Sequence, residues 1–163
     1  MKLYKLVEHQ AYEELLAALD LSPTKDELSD ALLLAVQRQD AGAVVILLNH
    51  GVDPNYTPQH SWPALFSAIE HRFIDIIRLL VQSGADINLR DESGATPLHA
   101  SVDIEGDSAW QMGVPPRAEV TELLLQLGAD PTARNCRGET PLDLARGYEH
   151  EEALTLIENI LGS

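Results

Sequence analysis

The sequence predicts an all-α repeat solenoid, made of helix pairs joined by β-turn fingers with an N-terminal helical cap, and three observations predict it. The segments Gly51-Val52-Asp53-Pro54-Asn55, Gly84-Ala85-Asp86-Ile87-Asn88 and Gly128-Ala129-Asp130-Pro131-Thr132 each read as a helix stop followed by a turn, because glycine accepts the left-handed backbone that ends a helix. The first two begin 33 residues apart and the last two 44, one period plus 11. The helix starts Asp30-Ala31-Leu32, Pro63-Ala64-Leu65, Thr96-Pro97-Leu98 and Thr140-Pro141-Leu142 keep the same steps, including the same extra length. Thr96 and Thr140 also have the chemistry of an N-cap, followed by proline at the first helical position, where a missing N–H costs nothing.

The elements follow in order. Residues 3 to 19 place Leu3, Leu6, Val7, Leu15, Leu16 and Leu19 among polar residues, the pattern of one or two amphipathic helices. Leu21-Ser22-Pro23-Thr24 breaks them, and Thr24 with Glu27 forms a capping box. An inner helix with Ala31, Leu32, Leu34 and Ala35 precedes an outer helix with Val44 to Leu48. Pro63 to Ala68 and Ile74 to Leu80 make the next pair, and Leu142 to Ala145 with Leu154 to Ile160 the last. Small alanines let inner helices approach closely, and leucines fill the gaps between layers. After Ser101 the third unit departs from the pattern: Val102 to Pro116 carries the extra residues, which the spacing puts in the turn between inner and outer helix.

The stretch Asp91 to Ala100, a turn followed by Thr96-Pro97-Leu98-His99, resembles an ankyrin repeat, whose signature is Thr-Pro-Leu-His-x-Ala at a period of about 33 residues. The resemblance covers Thr24 to the C-terminus, with outer repeats degenerate as capping repeats tend to be. It implies a single domain, 1–163: cap 1–24, repeats 25–57, 58–90, 91–134 with an inserted loop at about 104–114, and 135–163. Fingers are expected at about 53–62, 86–95 and 130–139.

Composition excludes several classes. A formal charge of −15 argues against nucleic acid or an anionic membrane as partner. No apolar run approaches the roughly 18 residues of a membrane span. The polar start, Met1 to Gln10, lacks a signal peptide's apolar segment, and the single Cys136 forms no internal disulfide; a cytoplasmic, monomeric protein is expected.

Candidate chemistry is sparse. His99 is the tempting catalytic residue, but the resemblance implies that it bonds to backbone near the preceding turn and braces neighbouring fingers. His9, His50, His60, His71 and His150 form no i, i+4 pair, against a zinc site. Asp103-Ile104-Glu105-Gly106-Asp107 alternates acidic groups like a calcium loop, but Ser108 and Val114 occupy the places that need Gly and Glu. Cys136 lies between Arg134 and Arg137 without a base or resolving cysteine. No catalytic residue, metal site or cofactor is therefore expected, and a metal-dependent hydrolase using carboxylates near His99 is the remote alternative.

The resemblance implies a non-enzymatic protein-binding module working through finger tips and inner helices. Small, strongly acidic ankyrin proteins resemble immunity proteins paired with toxins, or four-repeat kinase inhibitors, so an inhibitor of a basic protein is expected; an adaptor in a larger assembly stays open. The expected contacts are Tyr56, His60, Trp62, Arg90, Glu92, Arg134 and Arg137 on fingers, Glu70, His71 and Tyr148 on the inner face, and Asp103, Glu105, Asp107, Trp110 and Met112 on the inserted loop. The carboxylates Asp40, Asp75, Asp103, Glu105, Asp107, Glu119, Glu149, Glu151 and Glu152 map to the inner-to-outer turns or the starts of outer helices, and stacking is expected to align them along one edge.

Overall fold

A computed structural model describes residues 2–58 and 63–162. Among them are ten α-helices and no strand, in two compact units, Met1–Asp86 and Ile87–Ser163.

The first unit holds α1 (Leu3–Glu8), α2 (Tyr12–Leu19), α3 (Lys25–Gln37), α4 (Ala41–Asn49), α5 (Ala64–Glu70) and α6 (Ile74–Gln82). The inner helix α3 packs on both α1 and α5, and the outer helix α4 on both α2 and α6. Leu15, Leu32, Val44, Leu47, Ile69, Ile77 and Leu80 are buried between the layers, and burying a side chain of this size contributes about 1.5–3 kcal/mol. Alanines 31, 35 and 68 are fully buried where helices meet. The capping box at α3 is formed: Glu27 N–H donates to the Thr24 hydroxyl at 3.2 Å, and Thr24 N–H donates to Glu27 at 3.0 Å.

Each inner helix of this unit leads to its outer helix through one left-handed residue, Gln10, Gln39 and Arg72, with φ of 54°, 55° and 55°. That conformation costs a residue with a side chain about 1–2 kcal/mol. The following N–H compensates by reaching back over the helix end: Ala11 to Leu6, Asp40 to Ala35 and Phe73 to Ala68, each at 2.9 Å. The α1–α2 pair, expected as a cap without the repeat motif, thus has the same turn as the pairs that follow it.

The second unit holds α7 (Pro97–Met112), α8 (Glu119–Gln126), α9 (Pro141–Gly147) and α10 (Glu151–Leu161). Helix α7 packs on α8 and α9, and α10 on both α8 and α9. Leu98, Val102, Val120, Leu124, Ala145 and Ile157 form the core. Between α9 and α10 the turn recurs, with Glu149 at φ 54° and His150 N–H donating to Ala145 at 2.9 Å.

The third repeat breaks that rule. Helix α7 runs for 16 residues against 7 in α9, about two and a half extra turns at 3.6 residues per turn. The inserted loop expected at 104–114 is therefore mostly helix. Leu98, Val102, Glu105, Gly106 and Ala109 are buried along one face of α7, so the inner face of a normal repeat simply continues. The helix stops at Gly113, φ 64°, where Val114 N–H donates to the Ala109 carbonyl at 3.1 Å, a Schellman closure.

Candidate protein-binding surface

The fingers of the second unit are built by side chains that satisfy backbone. Asp91 accepts from Ser93 N–H and Ala95 N–H, each at 2.8 Å, and Asn135 accepts from Arg137 N–H at 2.9 Å and Glu139 N–H at 3.0 Å. Cys136 N–H donates to the Ser93 carbonyl at 2.8 Å, tying one finger to the next. Arg90 donates to the carbonyls of Gly94 at 3.0 Å and Arg134 at 2.6 Å, and Arg134 to that of Gly138 at 2.5 Å. Arg137 meets Glu139 at 2.7 Å, and Glu92 is exposed in the turn of its own finger. These arginines were expected as partner contacts; they also hold the fingers in shape.

His99 is 1% exposed. Its Nδ1 accepts from Thr96 N–H at 3.2 Å and lies 2.8 Å from the Thr96 hydroxyl. Nε2 therefore carries the proton and donates to the Glu139 carbonyl, 3.0 Å away in the next finger. Burial holds the imidazole below its ordinary pKa, which keeps it neutral and suited to one acceptor and one donor bond.

On the first unit, the Tyr56 hydroxyl donates to Asp26 at 2.6 Å, which raises the pKa of the phenol. Glu70 is exposed at the end of α5, and His71 Nδ1 lies 2.9 Å from the Ser67 carbonyl with its ring stacked on Phe73. His60 and Trp62, expected on the finger at 53–62, lie outside the described residues.

The extended α7 sorts the remaining expected contacts into two groups. Asp103, Asp107, Trp110 and Met112 are exposed, Trp110 at 80% and Met112 at 66%. Glu105 is corrected: it is 1% exposed, accepting Val120 N–H and the Thr121 hydroxyl, both at 2.7 Å, with His150 Nε2 at 4.0 Å. The reason lies at the start of α8. Asp40 caps α4 through Ala43 N–H at 3.0 Å and His150 caps α10 through Ala153 N–H at 3.3 Å, but the α8 N-cap is Ala118, which has no acceptor. Glu105 supplies the missing acceptor from the added turns of α7, and Glu152 accepts Ala118 N–H at 3.1 Å. Asp40 leaves the expected acidic edge for the same reason, since it is buried, capping α4 and accepting the Tyr12 hydroxyl at 2.7 Å. Tyr148 is half-buried, its hydroxyl donating to Asp103 at 2.7 Å, and that bond pushes its pKa up to about 12. The signal for Glu105 was in the sequence: Leu98, Val102, Glu105 and Ala109 are spaced 4, 3 and 4, a helical face running through the presumed loop.

Among the described residues no group of three or more His, Cys, Asp or Glu is placed to hold a metal ion, and no helix is long and apolar enough to cross a membrane. A family model described as ankyrin repeats (3 copies) matches residues 6–91 and 32–135. The chain is 40% identical over 63 residues to a putative ankyrin repeat protein of fowlpox virus, covering 39% of this chain and 8% of that protein. It is 39% identical over 67 residues to the 2-5A-dependent ribonuclease of Homo sapiens, covering 40% and 9%. A putative ankyrin repeat protein of Acanthamoeba polyphaga mimivirus is 31% identical over 102 residues, 61% of this chain and 86% of that protein. The chain thus spans a small part of the first two relatives and most of the third.

Proposed function

The chain belongs to the ankyrin-repeat family, and on that premise we propose that it is a non-enzymatic module that captures and neutralises a basic protein. The family's fold is a protein–protein interaction scaffold, which gives the class of function. The observation that carries the sharper reading is the formal charge of −15 on 163 residues. A field of that sign speeds encounter with a cationic surface and repels nucleic acid and anionic lipid. The expected contacts are on the finger tips and inner helices of each unit: Tyr56, His60, Trp62, Glu70 and His71 in the first, and Arg90, Glu92, Arg134 and Arg137 in the second. Glu70 and Glu92, exposed and acidic, supply attraction, while the arginines supply shape.

The experiment is capture from the native source on immobilised chain, identification by mass spectrometry, and association kinetics of the identified partner at low and high salt. A basic partner whose association slows with salt, while its dissociation changes little, is the expected result. A neutral or acidic partner, or salt-independent association, overturns the reading in favour of an adaptor role.

A further inference from the structure

We propose that the added turns of α7 form a second docking surface, whose apolar tip of Trp110, Met112 and Val114 receives a cationic amphipathic segment of the basic partner. It rests on the reading above that the partner is basic. Trp110, Met112 and Val114 are 80%, 66% and 50% exposed within five residues. Large apolar side chains gathered like this mark contact sites rather than ordinary surface, and tryptophan dominates interface hot spots.

The tip is also held in place. Glu105 and Gly106 anchor the far side of the helix, and the Gly113 closure fixes where it ends. Little ordering is then left to oppose binding, which preserves affinity. The exposed face of α7 runs Asp103, Asp107, Trp110, at steps of 4 and 3, so carboxylates lead into the apolar tip, and Val114 follows the Gly113 closure.

Charge selects the occupant. Residues 87–163 contain 14 acidic side chains against 5 arginines and no lysine, a balance of −9. Arg117, exposed beyond the tip, is the nearest cation in sequence. A second copy of this chain would set like charges against each other, whereas a segment with lysines flanking an apolar face satisfies both halves of the surface.

The test uses the full chain carrying Trp62→Phe, so that Trp110 is the only tryptophan, with three synthetic 18-residue peptides: Leu/Lys amphipathic, Ser/Lys, and Leu/Glu amphipathic. The expected result is a blue shift of Trp110 emission with Leu/Lys, binding at least 10-fold tighter than Ser/Lys, and none with Leu/Glu. Trp110→Ala, read with a labelled peptide, and Asp107→Asn should weaken Leu/Lys binding about 10-fold and several-fold, with unchanged circular dichroism. Glu13→Gln, an exposed carboxylate on α2, should leave it unchanged. Leu/Lys binding without a Trp110 shift, and unaffected by Trp110→Ala, overturns this surface while basic capture elsewhere stands. Failure of both lysine peptides to bind overturns basic capture and this surface together. A Trp110-dependent dimer in sedimentation, or equal binding of Leu/Glu, overturns the cationic occupant.

Discussion

The ring of Tyr148 occupies the space where residue 106 would carry a Cβ. A methyl built on Gly106 falls against the Tyr148 ring and its Cβ, so the added turns of α7 lie flush against the end of α9 only because residue 106 is glycine. The Tyr148 hydroxyl completes the joint by donating to Asp103, one turn earlier in α7, at 2.7 Å.

Gly106→Ala is expected to lower stability by about 1–3 kcal/mol, since overpacking outweighs the better helix propensity of alanine. Gly147→Ala, at a helical glycine with open space around it, should be neutral or stabilising by up to about 1 kcal/mol. Urea denaturation of the two variants checks the contrast, and equal effects would show that Tyr148 yields to the methyl.

Glu105→Ala should cost about 3 kcal/mol, because it leaves Val120 N–H and the Thr121 hydroxyl buried without their acceptor. Asp107→Ala, two residues on but exposed and bonded to Gln111 at 2.6 Å, should stay within about 0.5 kcal/mol. Equal losses in denaturant would mean that the capping role of Glu105 is misassigned.

His99→Ala should cost about 1–3 kcal/mol by breaking the link from Thr96 to Glu139. Its contribution also depends on pH. Burial lowers the folded pKa, so between that value and the unfolded value of about 6.5 the unfolded chain binds a proton that the folded chain refuses. Stability from this site is complete above about pH 6.5 and is lost as pH falls through the folded pKa. Denaturation at pH 7.5 and 5.5 should show a steeper fall for the native chain than for His99→Gln; parallel falls would remove His99 from the titration.

Tyr148 should be the last tyrosine to ionise, with a folded pKa of about 12 set mainly by its bond to Asp103. A raised phenol pKa stabilises the fold below the unfolded value of about 10 and ceases to do so as pH climbs through the folded value. An ultraviolet titration should lose its latest phenolate step in Tyr148→Phe, and stability between pH 10 and 12 should fall less steeply in that variant. An unchanged titration would mean that the hydroxyl is open to solvent.

The sequence by itself determined the helix pairs and the fingers at 86–95 and 130–139, because these are set locally; the start aligned at Asp30 lies inside α3, which begins at Lys25, and the finger expected at 53–62 lies partly outside the described residues. Gly51, Gly84 and Gly128 stop helices, each with φ between 79° and 96°; Thr24 and Thr140 start them through their own capping bonds, and the spacing between such marks is the fold. The ankyrin resemblance of Thr96-Pro97-Leu98-His99 implies a bracing role for His99, which bonds to Thr96 in its own motif and to Glu139 in the next finger. Tertiary structure decided what the extra 11 residues became. Repeat spacing put them in a turn at about 104–114, whereas the burial that makes them helix needs α8 and α9 in place. Glu105 became a buried cap because the acceptorless Ala118 was brought beside it, and Gly106 became indispensable because Tyr148, 42 residues later, lies on it. Contacts set by distant partners leave no local mark beyond the helical spacing of Leu98, Val102, Glu105 and Ala109.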